Sequence, residues 1–299
     1  MPTSAAIARA VAADPPAPSD PPEVTSAPVF DVHLDGHLDL TAFAGFQPER
    51  RLLPRGWLSV TARSQLAPLH WRGASFFAQY YAFEGENGSQ VLRDYEGFSN
   101  LDADPFAHFG EVSLDWQIVD HLRTRIGRLD ANSDFALPLS TELFHHPSAG
   151  LSGAFYPLPT YPNPELGALA AWQAPGPLKR LTMTGAVFFG PEPADLPDRL
   201  LTPGRMWIGQ VAAGNDETPG RLFVGAWRHT GRFVLNEAAI AADVPAAAAD
   251  LAASAGWFMR GEHIVGHFKA DREFVVSLQF SRAANDVTQI GRESCRERV

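Results

Sequence analysis

The chain has 299 residues, 45% of them hydrophobic, and a formal net charge of −10. That is enough apolar material for a large core in one or two domains, while the acidic balance excludes a nucleic-acid surface built on a basic stripe. No run of about 18 apolar residues occurs, which excludes a transmembrane helix but not barrel strands, whose hydropathy trace is much weaker.

Residues 1–28 read as a signal remnant or a flexible tail. Ala10-Val11-Ala12 has the small-x-small form that precedes a signal-peptidase cut, but a charged n-region and a continuous apolar h-region are lacking. Asp14 to Pro28 is Pro-rich and is expected to be an extended linker.

Phe30 to Phe46 (FDVHLDGHLDLTAFAGF) then alternates almost without fault. Asp31, His33, Asp35, His37, Asp39 and Thr41 share one face, and Phe30, Val32, Leu34, Leu38 and Leu40 share the other. A soluble strand seldom runs beyond about six residues. A tilted strand crossing an outer membrane needs about 9–11, apolar toward lipid and polar toward a wet lumen.

More alternating segments follow. Clean ones are Trp57–Leu66, Ala74–Glu84, Glu111–Val119, Leu122–Leu129 and Glu273–Arg282. Less regular ones are Glu165–Trp172, Leu178–Phe189, Arg205–Ala212, Arg221–Phe233 and Ala255–Ile264. Ala238 to Phe258, interrupted by Asp243, Pro245 and Asp250, reads as an Ala-rich loop or short helix. Helical periodicity is rare, so the chain is expected to be all-β, with about eleven strands. Long and short connections alternate, as in an antiparallel up-and-down transmembrane β-barrel with short turns on one rim and long loops on the other. The first strand would rise from the periplasmic rim.

The last ten residues, Ile290 to Val299 (IGRESCRERV), break this pattern and hold the single cysteine, Cys295. They resemble a translated sequencing adapter and are set aside as non-native. The expected partition is therefore 1–28 leader or linker, 29–289 partial barrel and 290–299 foreign tail.

Four segments in order resemble the carbohydrate-selective porins, the OprB family. They are Leu122 to Asn132 (LRTRIGRLDAN), Thr160 to Trp172 (TYPNPELGALAAW), Val224 to Phe233 (VGAWRHTGRF) and Ser277 to Ala283 (SLQFSRA). The resemblance implies a channel of about 16 strands that passes glucose and similar sugars across the bacterial outer membrane by diffusion. Barrels of this kind close with an even strand count, so a C-terminally truncated member is expected, its first strand lacking its closing partner.

A diffusion channel needs no catalytic group and no cofactor. It needs donors and acceptors that briefly replace sugar hydration. Arg63, Arg123 and Arg125 are candidate donors, and Glu111, Asp115, Asp35 and Asp39 candidate acceptors. Trp71, Phe77 and Tyr81 are candidate apolar platforms for sugar rings. His33, Asp35, His37 and Asp39 share a face, but without a third convergent His or Cys they read as wet-wall residues, not metal ligands. Ser140, His145 and His146 with Asp134 lack a nucleophile motif and read as loop residues. Asp130 and Asn132 are expected to cap backbone amides at a strand end, and the loop they begin is a candidate to fold into the lumen. Expected partners are sugars in transit and outer-membrane lipids, with a homo-oligomer open and nucleic acid excluded. The alternatives are a non-conducting adhesin or scaffold barrel and an outer-membrane lipid hydrolase.

Overall fold

The computed structural model describes residues 30–43, 51–88, 103–135, 158–161, 163–190, 200–202, 204–214, 218–234, 251–267 and 273–283. Its strands are β1 (Phe30–Phe43), β2 (Arg51–Gln65), β3 (Ala74–Gly85), β4 (Phe106–Val119), β5 (Leu122–Leu129) and β6 (Glu165–Gln173). They continue with β7 (Leu181–Phe189), β8 (Leu200–Thr202), β9 (Arg205–Ala213), β10 (Gly220–Val234), β11 (Leu251–His267) and β12 (Glu273–Ala283). All belong to one antiparallel sheet that follows chain order, except that β7 pairs with β9 while the short β8 pairs with β10. The expected all-β up-and-down meander is thus the fold.

Several boundaries differ from the sequence reading. β2 begins at Arg51, within the stretch expected to be a connection. Pro54 and Gly56 hid it there. Pro54 is accommodated because β3 ends opposite Arg55, leaving that end of β2 with β1 as its paired neighbour. β4 begins at Phe106, and a register shift between the Ala78–Val112 and Tyr80–Phe109 pairs changes which residues face inward. The expected strand Ala255–Ile264 begins earlier, so that Leu251 to Ser254, expected only as Ala-rich loop or helix, belong to β11. β8 had no sequence signature at three residues.

Register sorts the two faces. Asp35 pairs with Ser59, Ser59 with Tyr81, Ser75 with Asp115, and Asp115 with Arg125. On the other face lie Val32, Leu34, Leu58, Phe76, Ile126, Trp207, Met259 and Leu278, all exposed large apolar side chains. An apolar exterior of this extent is out of place in water and in place against lipid. The nine-residue strands β6, β7 and β9 match the roughly 9–11 residues needed for a tilted crossing.

The inner face has two halves. On β1–β5 it is mainly polar. Across β6–β11 Leu169, Ala186, Phe188, Met206, Ile208, Trp227 and Phe258 form a buried apolar cluster. Ala131, Phe135 and Leu158, from either end of the long connection after β5, pack into that cluster.

Candidate functional site

The densest chemistry lies where β4 and β5 meet the segment that follows β5. Strand alternation aims Glu111, Ser113 and Asp115 of β4 and Arg123 and Arg125 of β5 at the lumen, and the β4 bulge resets the phase so that Phe106 and His108 face the same side. Arg125 is ion-paired with Glu111 and Asp134, and its Nε lies 3.6 Å from Asp115. Arg123 donates through Nε to both Asp115 oxygens at 3.0 and 2.8 Å, and its Nη1 lies 3.5 Å from Asp134. Ser113 Oγ donates to Glu111 at 2.8 Å.

Two guanidinium groups thus meet three carboxylates, which leaves the cluster formally one charge negative. Its two arginines differ in exposure: the Arg123 side chain is 40% exposed and that of Arg125 only 8%. Arg123 faces water, whereas Arg125 is a buried clasp on Asp134.

Other bonds hold the same segment inward. Gln210 of β9 donates to the Asp134 carbonyl at 2.7 Å. Asp130 accepts from the backbone N–H of Asn132 at 2.8 Å and of Tyr161 at 3.3 Å, tying both ends of the connection together. The expected capping role of Asp130 is therefore present, and its reach to Tyr161 extends it. Burial pushes the Asp130 carboxyl up to about 6, against the pull of those two N–H donors. The Tyr161 ring lies 5.4 Å from Tyr81 and 5.7 Å from Phe106, so this end docks on the β3–β4 wall. Burial also pushes the Tyr161 hydroxyl up.

The remaining candidates are spread along the wall. Arg63 is exposed and its guanidinium stands 5.6 Å from the Phe77 ring. Asp35 and Asp39 lie on the inner face of β1, His33 Nε2 lies 3.8 Å from Asp35, and Asp39 is ion-paired with Arg55. Tyr81 is buried beneath aromatic neighbours and offers no open platform. Trp71 is not brought to the inner wall: it stands in the connection between β2 and β3, its ring 5.7 Å from outward-facing Trp116. Ser140, His145 and His146 lie outside the described residues.

Sequence reasoning missed Arg55, hidden in an apparent connection, and an inner-wall group on β10–β12. Arg221 pairs in register with Glu262, and Arg260 donates to Gln279 at 3.1 Å. The outward row Trp257, Met259 and Gly261 fixes the inward phase of Arg260 and Glu262, and that alternation was the available signal.

The strands form the wall of an antiparallel up-and-down β-barrel. Among solved structures the chain is similar to Pseudomonas putida OprB in its high-pH structure, with a TM-score of 0.68 at 15% identity over 86% of this chain and 67% of that one. No protein-family profile and no curated protein matches the sequence. The structural likeness establishes a shared fold.

Proposed function

We propose that this chain forms the wall of a bacterial outer-membrane porin through which small sugars diffuse. The observation that carries the reading is the segregation of charge. The carboxylates of β1, β4 and β11 face inward, while the opposite face is predominantly apolar. A water-filled channel in lipid requires that division. The resemblance of four segments to carbohydrate-selective porins, and the OprB-like fold, support sugars as the solute class. The reading is non-enzymatic.

Liposome swelling tests it. Vesicles carrying the protein should admit glucose faster than a charged solute of equal size. Absence of uptake for every small solute would sink the channel reading.

A second reading is a non-conducting scaffold barrel, favoured by the packing of Phe135 and Leu158 over the apolar inner wall. It predicts no swelling until that segment is released.

A further inference from the structure

The outward face carries a pattern of its own. Register aligns Thr124, Ala170, Gly185, Gly209 and Ala226 in one row across β5, β6, β7, β9 and β10. Trp116 and Trp257 stand at its two ends. Met183 and Val211 form a ridge on one side, with Val187 and Trp207 on the other. The outcome is a nearly apolar groove of about 810 Å3. Four inter-strand steps of about 4.8 Å make the row roughly 19 Å long.

Nothing among the described residues requires this gap. A Cβ on Gly185 or Gly209 would come no nearer than 3.9 or 3.8 Å to any atom beyond its chain neighbours. The inner face behaves differently. There Phe188 and Trp227 fill the space over Gly167 and Gly256, and a Cβ would come within 2.8 Å of either ring. Those two inward glycines are covered by the chain's own rings, whereas Gly185 and Gly209 leave open space on the outward side.

Charge indicates what fits. The described outward side chains of β4–β7 and β9–β12 include Arg128, Arg205, Arg228 and Arg282 and no carboxylate. Arg128 is engaged by the Pro164 and Phe109 carbonyls. Arg228 is exposed, borders the groove and pairs in register with Trp207, while Arg205, first residue of β9, stands 5.7 Å from the Phe189 ring. Guanidinium groups facing hydrocarbon are destabilising unless they reach the interface, where phosphate oxygens match their fork. A second copy packed two-fold on these strands would bring arginines toward arginines, since the described outward carboxylate, Glu84 of β3, lies outside them.

We propose that the groove seats an acyl chain of an anionic phospholipid, with Arg228 and Arg205 holding its phosphate. The proposal rests on the porin reading, because it needs this face to lie in a bilayer.

Native mass spectrometry of the full chain in detergent tests it, with phosphatidylglycerol and phosphatidylcholine of matched acyl chains as probes. The wild type should retain one phosphatidylglycerol at least tenfold better than phosphatidylcholine. The R205Q/R228Q variant should lose that preference, and Gly209→Leu should retain neither lipid. Heat-modifiable gel migration confirms that each variant is folded. Equal retention of the two lipids by the wild type, or an unchanged preference in R205Q/R228Q, would overturn the proposal. So would a stable dimer that Gly209→Leu dissolves, which assigns the groove to a second copy. Failure of the wild type to enter vesicles at all would instead remove the porin reading beneath it.

Discussion

Arg125 of β5 and Asp134, nine residues later, form an ion pair in which each side chain is less than a tenth exposed. With Glu111 on its other side, Arg125 fastens the start of the long connection to the barrel wall. Removing one partner of a buried pair leaves an uncompensated charge and destabilises by about 3–5 kcal/mol. Arg125→Gln should therefore loosen the segment. Single-channel recordings should show a larger and noisier conductance, and denaturant unfolding in detergent a lower midpoint.

Arg123, one turn of the pleat away, predicts the opposite balance. Its partly exposed guanidinium is screened by water, so Arg123→Gln should change stability by less than about 1 kcal/mol. It would leave Asp115 without its strongest partner on the inner wall. The reversal potential in a salt gradient should shift toward cation selectivity.

A third prediction concerns Gly110. A Cβ there would lie within the Tyr81 ring, so Gly110→Ala must displace that ring. Overpacking of this kind destabilises by about 1–3 kcal/mol. Combining it with Tyr81→Ala should recover part of the loss, and a double-mutant cycle would show the coupling.

Asp130 sets a pH dependence. Its folded value of about 6 lies above the ordinary 3.8, so the folded protein holds this proton more tightly than the unfolded chain does. Stability from this group is therefore fully present below about 3.8 and falls as pH rises through 6. At neutral pH the ionised form costs on the order of 3 kcal/mol. Unfolding midpoints at pH 4 and pH 7 should differ more for the wild type than for Asp130→Asn. An identical pH response in both would show that this carboxyl does not feel its burial.

Legibility in the sequence followed the difference between the two walls. β1, β3, β5 and β12 were plain because polar and apolar faces alternate in them. β6, β7 and β9 were less regular because Leu169, Ala186, Phe188, Met206 and Ile208 face inward as apolar residues too. They are apolar because Phe135 and Leu158 cover them, a long-range contact that local periodicity does not encode. Arg123 and Asp115 were each placed on the inner wall from strand phase alone, but their pairing across β4 and β5 was not. Asp134 was named only as a loop residue, since its role depends on where the connection returns.

The bulge in β4 has one more consequence. Above it Phe106 and His108 face inward with even numbers; below it Glu111, Ser113 and Asp115 do so with odd ones. The shift sets two residues, Gly110 and Glu111, against Gln79 alone. Loss of Gly110 would restore unbroken alternation, with Val112, Leu114 and Trp116 still outward and Glu111, Ser113 and Asp115 still inward. What the extra glycine supplies is room: it is where the Tyr81 ring lies against bare backbone.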